Sequence, residues 1–239
     1  MAPDLVLLHG FTQTGRSWQP VQHALAARYR ALAPDLPGHG ELSERRPASF
    51  AACDAYLRVL AEQPIALAGY SMGGRIALHA ALSLGARVRR LVLIGASPGI
   101  ADPAERAARA AADDALADRI EAIGVESFVR EWGVQPLFAG MPRGIAEIAE
   151  KDRLRNSATG LAAALRGLGT GVMPSLWERL GELEVPVELL VGERDEKFRA
   201  IAERMEPLLR DARLHVVAGT GHAVQLEAPD AVAEIISGS

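Results

Sequence analysis

A single cysteine in 239 residues, Cys53, excludes an intramolecular disulfide and any metal site built from several thiolates. It falls in a helix-patterned stretch and reads as a small core residue, and so sparse a use of cysteine suits a reducing, cytosolic compartment. No run approaches the roughly 20 consecutive apolar residues of a membrane span. The opening Met1-Ala2-Pro3-Asp4, followed by the short apolar Leu5 to Leu8, lacks the basic start and longer apolar stretch of a secretory signal, so none is expected. Charge of one sign is also missing. Twenty-six Lys and Arg face 30 Asp and Glu, for a formal net charge of −4 with no basic stripe or block of like charge. Nucleic acid and anionic membrane are therefore not expected as partners. There is no internal repeat and no low-complexity tract. What is present is 49% hydrophobic content, enough for one domain with a sizeable core and a small inserted subdomain, as a monomer or small homo-oligomer.

Short apolar runs alternate with longer helical patterns. Leu5 to Leu8, Ala31 to Ala33, Ile65 to Ala68 and Leu91 to Ile94 read as strands. Helical spacing runs from Ser17 to Arg28 (Trp18, Val21, Leu25), from Ser49 to Glu62, and again just after Ser71. Continuous apolar strands separated by helices are what a parallel sheet covered on both faces requires. The rhythm breaks from Pro98 to about Ser175, an Ala- and charge-rich stretch of helices punctuated by Gly133, Pro136, Gly140 and Pro142. It resumes with strands at Val187 to Val191 and Leu214 to Val217, and helices from about Lys197 and Ala223. The expected organisation is a core of residues 1–97 and 176–239 with a helical lid, 98–175, over the carboxyl ends of the strands.

Three strand-end motifs carry chemistry. Gly69-Tyr70-Ser71-Met72-Gly73 is a G-x-S-x-G sequence at a strand-to-helix junction, where a serine occupies a tight, strained turn and small flanking residues let strand and helix approach. This is the nucleophile turn of an α/β-hydrolase fold. His9-Gly10-Phe11 ends the first strand, where this fold supplies one oxyanion-hole N–H. The expected donors are the backbone N–H groups of Phe11 and Met72. His9 itself reads as a structural histidine, since those donors are main-chain. In the chain order Ser, acid, His, the base is His222 of Gly219-Thr220-Gly221-His222. The acid is Asp195 of Gly192-Glu193-Arg194-Asp195, with Glu193 the weaker claimant in the same loop. The alternative acid position after the fourth strand reads Gly95-Ala96-Ser97 and has no carboxylate, while Asp35 reads as a stabiliser of its own turn. Arg75, four residues after Ser71, shares its helix face. A guanidinium there suggests an anionic substrate, the competing reading being an internal salt bridge.

With these residues in hand, the sequence resembles the 2-succinyl-6-hydroxy-2,4-cyclohexadiene-1-carboxylate synthases of menaquinone biosynthesis, lyases of α/β-hydrolase fold. The resemblance rests on Leu8-His9-Gly10-Phe11, on Gly69 to Gly73 extended by Gly74-Arg75, on Gly192 to Phe198, and on Gly221-His222. In the lid it rests on Glu131-Trp132, Gln135-Pro136-Leu137-Phe138, Leu154-Arg155-Asn156 and Leu165 to Gly171. It implies no metal or cofactor and a small multi-carboxylate substrate. The triad would act as a base that removes a ring proton while pyruvate leaves 2-succinyl-5-enolpyruvyl-6-hydroxy-3-cyclohexene-1-carboxylate. It further implies Arg109 and Arg155 as anion partners, with Trp132 and Tyr70 lining the pocket. Trp132 reads equally as a lid core residue. The competing functions are a serine carboxylesterase, lactonase or carbon–carbon bond hydrolase acting on a small anionic substrate, and a non-catalytic ligand-binding member of the fold.

Overall fold

A computed structural model describes residues 4–238; Met1, Ala2 and Pro3, the start of the stretch in which no secretory signal is expected, lie outside them. Strands β1 (Leu5–Leu8), β2 (Ala31–Leu32), β3 (Ile65–Tyr70), β4 (Val88–Ile94), β5 (Val187–Gly192) and β6 (Ala212–Val217) form one sheet in the order β2-β1-β3-β4-β5-β6. Every pairing in it is parallel. The α/β-hydrolase class expected from the motifs is the class observed. The runs read as strands recur at these positions, most of them longer by one to three residues because pairing with a neighbour extends the ladder past the apolar segment.

Alternation across the pleat sends successive side chains to opposite faces. In β1, Val6 and Leu8 join a core with Leu67, Leu93 and Leu189, while Leu5 and Leu7 join a second with Ala68 and Ile94. Helices α2 (Phe50–Leu60), α3 (Met72–Leu84) and α7 (Glu196–Met205) supply Leu57, Ile76 and Met205 to the first. Helices α1 (Gln19–Leu25) and α9 (Pro229–Ser237) cover the second with Leu25 and Ile236. All four β1 side chains are fully buried, and each leucine so buried stabilises the fold by about 1.5–3 kcal/mol before entropy is counted. The final helical segment is divided: Pro229 separates α9 from a short α8 (Val224–Glu227), because proline lacks the N–H that a continuous helix needs.

Between β4 and β5 the chain forms α4 (Pro103–Gly133), α5 (Arg143–Arg153) and α6 (Ala158–Leu168) and no strand. Gly124, with φ 77°, breaks α4 in its second half. Helices α4 and α6 share a small core of their own, with Ala117 and Ile120 against Leu161 and Leu165 and with Phe128 beside them. Ion pairs from Arg166 of α6 to Asp118 and Glu121 of α4 brace its outer side. Among the described residues no helix is long and apolar enough to cross a membrane.

Candidate active site

The tight turn after β3 holds Ser71 at φ 51°, ψ −109°. This conformation is costly for a residue with a Cβ, on the order of 1–3 kcal/mol, and it is held by surrounding contacts. The Ser71 N–H continues the ladder to Ile94 O at 2.8 Å. Strand and helix meet so closely that a Cβ on Gly69 would lie 2.3 Å from Gly73 O, and one on Gly73 would lie 2.1 Å from Leu8 O. The turn presents the Ser71 hydroxyl at the carboxyl end of the sheet. There it donates to His222 Nε2 at 3.2 Å, and His222 Nδ1 donates to Asp195 Oδ2 at 2.6 Å. Asp195 Oδ1 accepts from Phe198 N at 3.4 Å as the N-cap of α7, so the helix terminus orients the carboxylate.

The surrounding loops are built to hold the imidazole. Arg194 pairs with Glu227 at 2.9 Å, and Glu227 accepts from Gly221 N at 3.0 Å, which fixes the peptide before His222. Phe198 and Tyr70 flank the ring, with centroids 4.5 and 5.1 Å away. Glu193, the other acid of the loop, faces away and accepts from Gly219 N at 2.8 Å. Gly95 sits at φ 53°, and a Cβ there would lie 2.8 Å from His222 Cε1. Gly95→Ala is therefore expected to displace the imidazole and lower kcat at least about tenfold in a folded protein. Wild-type turnover by a folded Gly95→Ala variant would show that the crowding is relieved elsewhere.

His9 lies under the first turn as a structural residue. It is fully buried, Nδ1 donates to Gly10 O at 2.9 Å, and Nε2 accepts from Leu36 N at 3.0 Å. Burial lowers its pKa to about 4 and places that of the neighbouring His39 well below its ordinary value. Both are neutral in the fold, whereas the unfolded chain protonates them below about pH 6.5. Between that pH and about 4 the unfolded state binds more protons, so stability falls as the pH drops. Urea unfolding at pH 7 and pH 5 checks this, and equal free energies would contradict it. Asp35 staples its own turn, accepting from Gly15 N at 2.7 Å and Glu41 N at 2.8 Å. Cys53 is buried, with its thiol pushed up to about 12 by desolvation.

A cavity of about 640 Å³ opens above Ser71, walled by Phe11, Arg75, Arg109, Trp132 and Lys197 among others. Arg75 has no carboxylate partner among the described residues. Its Nη1 donates to Leu168 O at 2.7 Å, at the carbonyl end of α6. Burial, followed by nearby Arg109, lowers its pKa to about 10, which leaves it charged at neutral pH. Arg109 pairs with Asp113 at 2.7 Å and still borders the cavity. Trp132 takes both of the roles open to it. Its ring packs on Phe11 and Phe128 with centroids 5.3 and 5.6 Å away, and it walls the cavity with a buried Nε1 that has no hydrogen-bond partner among the described residues.

Two residues stand elsewhere than expected. Arg155 points outward near Asp152, 4.0 Å away, and does not border the cavity. Tyr70 is buried beneath the site, on the sheet face opposite the Leu8 core, with its ring where a Cβ on Gly10 would stand. The arginine that α5 turns inward is Arg153, 3% exposed and stacked 4.6 Å from the Phe138 ring centroid. Burial holds its pKa below the ordinary range. Ala149, Asp152, Arg153 and Asn156 are all buried and form the inner face of α5 and of the turn that follows it; three of the four are polar, so no apolar periodicity in the sequence marks that face.

The parallel sheet, the covering helices and the strained serine turn define an α/β-hydrolase, and a model of the alpha/beta hydrolase family matches residues 5–235. A relative from Bacillus subtilis (strain 168) is 38% identical over 98% of this chain and 88% of its own length. The 2-succinyl-6-hydroxy-2,4-cyclohexadiene-1-carboxylate synthase of Citrobacter koseri is 34% identical over 99% of this chain and 93% of its own. The solved structure of MenH from S. aureus superposes with a TM-score of 0.92 at 37% identity, covering 98% of this chain and 91% of that one. Within the α/β-hydrolases, the chain belongs to the 2-succinyl-6-hydroxy-2,4-cyclohexadiene-1-carboxylate synthase family.

Proposed function

We propose that this protein is a lyase of menaquinone biosynthesis that eliminates pyruvate from 2-succinyl-5-enolpyruvyl-6-hydroxy-3-cyclohexene-1-carboxylate, with Ser71, His222 and Asp195 acting together as the base. The conversion of a 3-ene into a 2,4-diene fixes the electron flow. The proton leaves C2, beside the succinyl ketone. The ring double bonds shift, and the C5–O bond breaks with its electron pair going to the enolpyruvyl oxygen; the released enolate becomes pyruvate by taking up a proton at its methylene carbon. Ser71 Oγ faces the cavity, so it receives the C2 proton as its own passes to His222 Nε2. The resulting imidazolium is stabilised by Asp195. Negative charge growing on the ketone oxygen meets the backbone N–H groups of Phe11 and Met72. Arg75 and Arg109 in the cavity receive the carboxylates. A single buried cysteine and the absence of a spanning helix among the described residues suit a cytoplasmic location.

The observation that carries this reading is Arg75, a charged guanidinium that forms no ion pair among the described residues, in the same cavity as the Ser71 hydroxyl and beside the Arg109–Asp113 pair. Incubation with the enolpyruvyl substrate should release one pyruvate per turnover, read by a coupled lactate dehydrogenase assay. Rapid cleavage of p-nitrophenyl esters without pyruvate release would instead identify a hydrolase.

A further inference from the structure

We infer that Asn156, with Asp152, is a positioning residue that clamps the oxyanion turn from the helical insertion. The inference rests on the reading of the Phe11 N–H as an oxyanion donor. Residues Gly10 to Gln13 form a tight turn, closed by Gln13 N donating to Gly10 O at 3.1 Å. Phe11 is its second residue. The third, Thr12, lies at φ 70°, a region that a β-branched side chain strongly disfavours. Such a turn persists only where its surroundings over-determine it.

The surroundings come from the corner between α5 and α6. Asn156 Nδ2 donates to Thr12 O at 2.6 Å and to Arg153 O at 2.9 Å, while its Oδ1 accepts from Gly40 N at 3.0 Å. Both amide protons and the carbonyl are thus committed, and the partners fix which way the amide faces. One turn earlier, Asp152 Oδ2 accepts from Thr14 N at 2.9 Å, and its Oδ1 accepts from the Thr14 hydroxyl. Both residues are buried. Gly38 and Gly160 meet so closely beside them that a Cβ on either would lie 2.6 Å from the other's carbonyl oxygen. This corner of the insertion is therefore docked on the core. It holds Thr12 in the left-handed region and, through it, sets the direction of the Phe11 N–H. Neither residue borders the cavity, so they act on kcat through the turn, not on substrate binding.

Asn156→Asp is the sharpest variant, because it keeps the shape but sets a carboxylate oxygen against two carbonyls. It should lower kcat at least about tenfold and change KM less than about threefold, the pattern of a displaced transition-state contact. Labelling of Ser71 by a fluorophosphonate forms P–O, breaks P–F and also passes charge through the oxyanion hole, so it should slow in parallel. Adding Thr12→Gly to Asn156→Ala should recover part of the lost kcat, since glycine adopts positive φ without strain. If Asn156→Asp does not fold, Thr14→Val removes one hydroxyl with little change of shape and should lower kcat severalfold. Labelling and kcat within twofold of wild type in either folded variant, or a rise in KM with kcat intact, would overturn the clamp. A wild-type enzyme that releases pyruvate yet is not labelled would instead overturn the oxyanion reading on which the clamp rests.

Discussion

Ser71→Ala should lower kcat for pyruvate release at least about 1,000-fold while leaving the folded state intact. The serine contributes its hydroxyl to a single hydrogen bond, to His222 Nε2 at 3.2 Å, and the turn that carries it is held by main-chain contacts. Alanine meets the same φ of 51° with no larger side chain, so the melting temperature should move little. His222→Ala and Asp195→Asn should fall similarly. The effects should not multiply, because in the proposed relay the three groups act as one unit and loss of any member disables the others. A folded Ser71→Ala protein with near-normal turnover would refute the proton relay, and His222 would then have to act alone.

Arg75→Ala should reduce kcat/KM for the multi-carboxylate substrate about 30-fold or more, as expected from roughly 2–5 kcal/mol for a charge-assisted contact in a partly dehydrated pocket. Arg75→Lys should recover only part, since a point charge cannot reproduce the planar fork. Any residual cleavage of a small neutral ester should barely change. Truncation also removes the bond to Leu168 O, a stability cost of about 1 kcal/mol, so melts separate the two effects. Lost stability with intact turnover of the anionic substrate would make the arginine an anchor for α6 and remove the main physical reason to prefer the lyase.

Where a conformation is dictated by neighbours in the chain, the amino-acid sequence was enough. The apolar run Leu5 to Leu8 needed both sheet faces covered. The glycines around Ser71 announced a close strand–helix approach, and the chain order of Ser71, Asp195 and His222 placed three loops at the carboxyl end of the sheet. Arg75 followed from helical phase alone. Which side chains of the insertion face the cavity was a different matter, because that depends on how α4, α5 and α6 pack on the core. Arg155 belonged to the expected motif, yet α5 turns Arg153 inward. Tyr70 flanks the serine in sequence, yet strand alternation carries its ring under the site. The clamp on Thr12 joins residues 144 positions apart, and no local periodicity encodes a contact of that separation. Short-range sterics and hydrogen bonding act within a few residues and so can be read along the chain. The arginine-bearing wall of the cavity and the hydrogen bonds that hold the Gly10–Gln13 turn arise from packing between distant helices and loops, which only the folded arrangement decides.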